Sequence, residues 1–180
     1  MSKVVMTYTD YAALPDDGRR YELHDGEIEV TPAPSTKHQT VVKNLLFLLE
    51  GYLREHRIGT LLQAPVDLIL SETTVLQPDL LVVLRGRESL ITDRGIEGPP
   101  DLVVEVLSPG TASRDRKSKF QLYARHGVSH YWIVDPNARR LEAYGIMSTG
   151  YALSGVLEGE GELSSDLFPG LVLRGSAIWV

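Results

Sequence analysis

The sequence contains no cysteine among its 180 residues. This absence excludes disulfide bonds, thiolate nucleophiles, cysteine-ligated zinc and iron–sulfur clusters. The sequence also has no run of 18 consecutive apolar residues, and its first residues include no apolar stretch of signal-peptide length. We therefore expect a cytoplasmic protein with no membrane partner.

Three common catalytic motifs are missing as well. The chain has 5 histidines but no His-Glu-x-x-His, no glycine-rich loop ending in Gly-Lys-Ser/Thr, and no Gly-x-Ser-x-Gly. These absences argue against a zinc hydrolase, a P-loop nucleotide-binding protein and a serine hydrolase.

The composition is that of a folded globular protein, with 43% hydrophobic and 23% charged residues. No repeat, low-complexity tract or linker divides the chain, so we predict one domain over residues 1–180 with a less regular tail at 146–180. The net charge of −6 argues against a protein that coats nucleic acid. Residues 101–140 nevertheless carry 7 basic and 4 acidic side chains, which leaves room for a local nucleic-acid site.

Hydrophobic periodicity and turn residues predict a mixed α/β fold. Arg20 to His24 and Glu27 to Thr31 flank an Asp-Gly pair that is typical of a β-hairpin. Ser35 or Thr36 is expected to cap a long helix that ends near His56. Later strands are predicted at 60–63, 66–70, 80–84, 101–107 and 128–134, with a helix over 113–126. The strand–helix–strand order across 101–135 predicts parallel strands within a mixed central sheet flanked by helices.

Two carboxylates stand out in this pattern. Glu105 lies in the middle of an apolar strand, where an ionised carboxylate needs a cation or a hydrogen-bond donor. Asp79 opens a second apolar strand. A structural ion pair or a solvent-open face would explain Glu105, and turn chemistry would explain Asp79. Alternatively, carboxylates on adjacent strands can bind one divalent ion. Asp101 is a poorer partner, because four residues along one strand separate it from Glu105 by about 13 Å.

Several short motifs resemble one known family. Residues 21–27 include Tyr-Glu-Leu and Gly-Glu, residues 77–79 read Gln-Pro-Asp, and residues 100–109 run from Pro-Asp through Glu105 to Ser-Pro. The spacing Asp115-x-x-x-Lys119-x-x-x-Tyr123 and the strand at 131–136 continue the match. Together they resemble the restriction-endonuclease-like family of the PD-(D/E)XK nuclease superfamily, over about residues 7–145.

The resemblance implies a restriction-endonuclease-like core and a hydrolase that cleaves DNA with Mg²⁺ or Mn²⁺. Asp79 and Glu105 would be metal ligands, with the Val106 carbonyl as a third. The superfamily places a lysine two residues after the glutamate, where this chain has Leu107. In this family the lysine is expected in the following helix, which indicates Lys119 as the residue that orients the attacking water.

Further residues are assigned to the site or its substrate. Glu22 matches an additional acidic position with a catalytic role, and His38, near the start of the long helix, is expected to help form the substrate site. The basic stretch suggests that Arg114, Arg116 and Lys117 contact DNA phosphates. Helical periodicity alone does not choose between Lys117 and Lys119, because they flank the buried stripe on opposite sides.

Two rival functions are compatible with the residues. One is a non-catalytic nucleic-acid-binding module that keeps the nuclease fold. The other is a metal-independent hydrolase with a carboxylate pair, such as a glycosidase. Cleavage of both DNA strands would favour a homodimer, because each subunit would present one active site to one strand.

Overall fold

A computed structural model of the chain describes residues 4–110 and 112–179. Its helices are α1 (Tyr8–Ala12), α2 (Thr36–His56), α3 (Ala112–Arg114), α4 (Phe120–Arg125) and α5 (Gly175–Ile178), with a 3₁₀ turn at Glu88–Leu90 and a π-helical stretch at Asp115–Lys119. Its strands are β1 (Arg20–His24), β2 (Glu27–Thr31), β3 (Gly59–Gln63), β4 (Leu68–Ser71), β5 (Thr74–Leu76), β6 (Leu80–Leu84), β7 (Ile91–Thr92), β8 (Gly95–Glu97), β9 (Leu102–Val106), β10 (His130–Asp135), β11 (Arg140–Met147), β12 (Gly150–Glu158), β13 (Glu162–Ser164) and β14 (Val172–Arg174).

The strands form two six-stranded sheets and one small hairpin. The central sheet has the order β12-β11-β10-β9-β6-β3, and its β9 and β10 are parallel as the crossover predicted. The outer sheet has the order β2-β1-β5-β4-β8-β7, and β13 pairs with β14. The sequence pattern predicted one mixed sheet. The pattern did not predict the outer sheet, because β5, β7 and β8 have only two or three residues each, too few for a periodic signal.

The N-terminal hairpin and the long helix follow their local signals. Asp25 and Gly26 both have positive φ, 50° and 83°, as a type I′ turn requires. The Ser35 hydroxyl accepts a hydrogen bond from the His38 N–H at 3.2 Å, which caps α2. Both predicted elements are confirmed.

Helix α2 covers one face of the central sheet. The buried side chains of α2 recur at helical spacing (Val41, Leu45, Leu49, Leu53). They pack against the even-numbered residues of β6 and β9 (Leu80, Val82, Leu102, Val104). The C-terminal residues complete this core through Phe168, Leu173, Ile178 and Trp179. The prediction of a less regular tail at 146–180 is therefore wrong, because this segment contains the nine-residue strand β12 of the central sheet, three shorter elements and buried side chains.

The opposite face of the central sheet carries the basic helical segment. Leu122 and Tyr123 of α4 pack with Val103 and Ile133 in a second core. The sequence predicted a continuous helix over 113–126, whereas residues 115–119 form a π-helical stretch. This wider turn contains two buried charged side chains, and π-helical turns are frequent at functional sites. Gly127, with a positive φ of 79°, ends the segment.

None of the helices within residues 4–110 and 112–179 combines the length and apolarity needed to cross a bilayer.

Candidate active site

The pairing of β6 with β9 brings two carboxylates together. These strands are antiparallel, and Leu80 lies opposite Val104. Continuing this register by one residue sets Asp79 opposite Glu105, so their side chains leave the same face of the sheet. Directly opposed residues have Cβ atoms about 4.5–5.5 Å apart. Asp79 is 6% exposed and Glu105 is 4% exposed.

Both carboxylates line one small cavity of about 30 Å³. A cavity of this size holds about two water-sized particles, since one water needs roughly 10–15 Å³. The other lining residues come from β1, β2, β9, α2, the helical segment and the loops that follow β2 and β9 (Arg20, Thr31, Pro32, Pro34, His38, Val106, Ser108, Asp115, Lys119). The sequence-predicted residues Asp79, Glu105, Val106, His38 and Lys119 therefore meet at one place.

Asp79 is oriented through one of its two oxygens. Its Oδ2 accepts a hydrogen bond from the Val106 N–H at 2.8 Å and lies 3.1 Å from Nε2 of His38. Because an ionised carboxylate only accepts, this contact places a proton on His38 Nε2. Its Oδ1 lies 4.0 Å from Nη1 of Arg20 and has no hydrogen-bond donor among the described residues. Oδ1 is thus the oxygen left for a ligand.

Lys119 lies between two glutamates. Its Nζ donates to Glu105 Oε1 at 2.8 Å and to Glu22 Oε1 at 2.9 Å, and lies 3.9 Å from Oδ1 of Asp115. The Lys119 side chain is 4% exposed and that of Glu22 is fully buried. Tyr123 donates its hydroxyl to the same Glu105 oxygen at 2.7 Å. We call Glu22, Glu105, Asp115 and Lys119 the buried charge cluster.

The surroundings fix the protonation of Lys119. Burial by itself would lower the pKa of the ammonium, but the charges of Glu105, Glu22 and Asp115 raise this pKa above its ordinary value. Lys119 is therefore a cation over the physiological range. It can orient a water molecule and offset negative charge, whereas it cannot accept a proton as a base.

The two glutamates differ in their electrostatics. Burial raises the pKa of Glu105 above its ordinary value, against the opposing effect of the Lys119 charge. Burial also disfavours the Glu22 carboxylate, but the Lys119 charge and hydrogen bonds from His24, Lys119 and the Gln77 N–H lower the pKa of Glu22 below its usual range. Glu22 is thus the fixed counter-ion of Lys119, and Glu105 is the carboxylate that a further cation would stabilise.

The oxygen atoms at the cavity match the preferences of a hard divalent cation. Every hydrogen bond that Glu105 receives within the described residues goes to Oε1, so Oε2 is left available, as is Oδ1 of Asp79. No cluster of three or more His, Cys, Asp or Glu side chains suited to a metal occurs in residues 4–110 and 112–179. Mg²⁺ is usually bound by one or two carboxylates, with water and phosphate oxygens as the other ligands, so the pair suffices.

The remaining predicted basic residues, Arg114, Arg116 and Lys117, do not line the small cavity, and we call these three residues the rim. Arg114 donates to Glu29 at 2.9 Å, and Arg116 pairs with Glu142. Lys117 is exposed and makes no ion pair with a described residue. Arg114 and Lys117 line a neighbouring groove of about 560 Å³, outside the small cavity. Asp101, the carboxylate that strand spacing disfavoured, binds the Leu84 N–H and Arg87.

Sequence reasoning missed two charged residues of the cavity: Asp115, which had a place in the family motif but no role, and Arg20. Arg20 lies two residues before Glu22 in β1, so strand alternation places the side chains of both on one face. A basic residue that alternates with a buried acid was the available signal.

Comparison with known proteins agrees with this architecture. A crystal structure described as "a putative nuclease", from Anabaena variabilis, superposes with a TM-score of 0.78 at 19% sequence identity, covering 96% of this chain and 97% of that chain. At this identity the likeness shows the shared fold. No curated protein matches the chain. Residues 8–175 match the model of the Uma2 family, described as "Putative restriction endonuclease". The chain belongs to this restriction-endonuclease-like family, and its fold is that of a nuclease.

Proposed function

We propose that this protein is an endonuclease that hydrolyses phosphodiester bonds of DNA with a divalent metal ion. Membership of the family supports a nuclease-like function. The observation that carries the finer proposal is the convergence of Asp79, Glu105 and a buried lysine on one small cavity. A carboxylate pair beside a fixed cation is suited to attack by water on a phosphate.

Asp79 and Glu105 would hold the ion through the oxygens that make no hydrogen bond, with the Val106 carbonyl as a third ligand. Mg²⁺ or Mn²⁺, when bound, supplies Lewis-acid stabilisation of charge on the phosphate and lowers the pKa of water. His38 and the Val106 N–H orient Asp79 by binding its other oxygen. The hard oxygen donors favour these ions over softer transition metals.

The reaction forms a bond between a water oxygen and phosphorus while the bond to the leaving oxygen breaks. The attacking water loses one proton to solvent, and the leaving oxygen gains one. No covalent enzyme intermediate is needed. Lys119 orients the attacking water and offsets the negative charge that develops, and Glu22 keeps the ammonium charged and in place. Lys117 at the rim, with Arg114 and Arg116, would contact DNA phosphates.

Plasmid DNA cleavage tests this function. Wild-type protein should nick supercoiled DNA with Mg²⁺ or Mn²⁺ and stop when EDTA is added. Asp79→Asn, Glu105→Gln and Lys119→Met should each lower the rate by at least about 10³-fold, whereas Arg174→Met, a surface change in β14, should not. Cleavage that persists in EDTA would instead support the carboxylate-pair hydrolase, and DNA binding without cleavage under any metal would support the binding module.

Metal binding is measured separately by Mn²⁺ titration calorimetry. Asp79→Asn and Glu105→Gln should abolish the binding isotherm because each removes an anionic ligand. Arg174→Met should bind as the wild type does. Wild-type binding in both ligand variants would contradict the assignment even if the protein cleaves DNA.

A further inference from the structure

We propose that Arg20 binds a non-bridging oxygen of the phosphate that is cleaved. This inference rests on the proposed function, and it adds a substrate-binding group that neither the motifs nor the family match supplies. Arg20 opens β1 and lines the small cavity beside Asp79. Its Nη1 is 4.0 Å from Asp79 Oδ1, the oxygen assigned to the metal.

The guanidinium of Arg20 is held by Gln77 on one edge. Its other edge, which we call the free edge, forms a long ion pair with Asp79 at 4.0 Å but no hydrogen bond with a described residue. Its Nε donates to Gln77 Oε1 at 3.1 Å, and its Nη2 donates to the Gln77 carbonyl. The described residues provide no hydrogen-bond acceptor for Nη1. An arginine carries five N–H donors and no acceptor, so the free edge needs an anion or water. The 23% exposed side chain gives a ligand access to that edge.

Gln77 is itself held in place. Its side-chain amide donates to Asp67 Oδ1 at 2.8 Å and to the Tyr11 hydroxyl at 3.2 Å, and the same hydroxyl donates to Asp67 at 2.8 Å. Its backbone N–H donates to Glu22 Oε1 at 2.8 Å. These bonds connect Arg20 to both α1 and the buried charge cluster. A donor held in this way needs little reorganisation when charge develops on the phosphate.

Arg20 also stands where two cavities meet. A groove of about 910 Å³ lies on its other side, lined by residues of α1, α2 and the turn at 64–65. Arg20, Pro34 and Asp79 line both this groove and the small cavity. The groove is large enough for part of a nucleic-acid strand, so a phosphate that reaches the mouth of the small cavity from the groove passes the free edge of Arg20. Guanidinium groups bind phosphate oxygens strongly because the hydrogen bond is charge-assisted.

The first measurement is DNA affinity against salt with Ca²⁺ in place of Mg²⁺, which tests the contact without cleavage. Arg20→Met should lower the slope of log affinity against log salt by about 1, because one phosphate contact is lost. Arg174→Met, which removes an exposed arginine of β14, is the matched control and should keep the wild-type slope. An unchanged slope in Arg20→Met would overturn the contact.

The second measurement is single-turnover cleavage of phosphorothioate DNA. Arg20→Met should slow cleavage of ordinary DNA about 100-fold, the usual effect of losing one donor to developing charge. Replacing the contacted phosphate oxygen by sulfur should slow cleavage by the wild type. The same replacement should cause no further loss of cleavage rate in Arg20→Met, which already lacks the contact. Arg20→Lys keeps the charge and disturbs Gln77 less, so its cleavage rate should lie between those of the wild type and Arg20→Met. A sulfur effect equal in wild type and variants would refute the role in cleavage.

The two measurements separate this inference from the proposed function. Wild-type protein that binds DNA but never cleaves it would end the nuclease proposal, while the salt slopes still decide whether Arg20 contacts phosphate. If the wild type cleaves DNA, and Arg20→Met keeps the wild-type salt slope and the wild-type cleavage rate, only the proposal about Arg20 is overturned. A wild type that neither binds nor cleaves DNA would overturn both.

Discussion

Lys117 and Lys119 lie two residues apart in one helical segment and have opposite environments. Lys119 is buried among Glu22, Glu105 and Asp115, whereas Lys117 is exposed and has no ion pair among the described residues. The π-helical stretch contributes Asp115 and Lys119 to the interior and leaves Arg116 and Lys117 at the surface. Position relative to the sheet, rather than charge, therefore decides which of the two lysines is buried among carboxylates and which is open to solvent.

The same contrast holds for the ion pairs around them. Removing one member of a buried pair leaves an uncompensated charge and costs about 3–5 kcal/mol. Surface pairs such as Arg116–Glu142 are worth about 0–1 kcal/mol. We test this difference between buried and surface ion pairs with four predictions, beginning with the one whose effect should be greatest.

The largest effect on stability is expected from Lys119. Lys119→Met should lower the free energy of unfolding by about 3–5 kcal/mol, because Glu22 and Glu105 lose their shared cation. Urea denaturation in EDTA measures this change, with Lys117→Met as the matched control that should unfold like wild type. Equal free energies of unfolding in the two variants would contradict the claim that the buried lysine stabilises the protein more than the exposed one.

Coupling within the buried charge cluster should be the next largest effect. In a Glu105→Gln background, Lys119→Met should cost about 1–3 kcal/mol less than in wild type, because the two side chains share a hydrogen bond. A double-mutant cycle by urea denaturation gives this coupling energy. Simple additivity of the two substitutions would contradict a direct interaction.

The rim should respond through DNA affinity rather than stability. Lys117→Ala should lower the salt slope of DNA binding by about 1, because its ammonium is available for a phosphate. Arg114→Ala and Arg116→Ala should lower it less, since Glu29 and Glu142 already neutralise these guanidiniums. Fluorescence anisotropy at several salt concentrations measures the slopes. A larger loss in Arg116→Ala than in Lys117→Ala would reverse the ranking.

The smallest effect is the pH dependence of the surface pair. Burial would raise the pKa of Glu142, but hydrogen bonds from Arg116 and Arg140 lower this pKa below its ordinary value. A lowered folded-state pKa contributes stability above the unfolded pKa and loses it as pH falls through the folded value. Glu142→Gln should therefore cost about 0.5 kcal/mol at pH 7 and less at pH 3. Thermal unfolding at both pH values measures this, and a cost that grows toward pH 3 would contradict the sign.

Local elements could be predicted from sequence where the signal was local. The Asp25-Gly26 turn and the Ser35 cap each depend on neighbouring residues, so β1, β2 and α2 have the expected bounds within a residue. The outer sheet could not be predicted in this way. Its β5 pairs with β1 about fifty residues earlier, and short strands give no periodicity of their own.

The residues of the candidate site likewise separate into those with a local sequence signal and those whose partners depend on the fold. Apolar surroundings in the sequence mark Glu105 and Asp79 as unusual carboxylates, and the family motif indicates Lys119. Periodicity left Lys117 and Lys119 equivalent, because both flank the buried stripe of an ideal helix. The motif also gave no reason to connect Glu22 directly with Lys119.

Residue types and short-range spacing were enough to predict the hairpin, the long helix, the two strands at the carboxylates and the classes of chemistry that the chain lacks. Three further features depend on the folded arrangement. Lys119 lies between Glu22 and Glu105, Arg114 and Arg116 have acidic partners, and Arg20 faces Asp79. Such contacts join residues up to 97 positions apart, and their geometry follows from strand register and packing rather than from local pattern.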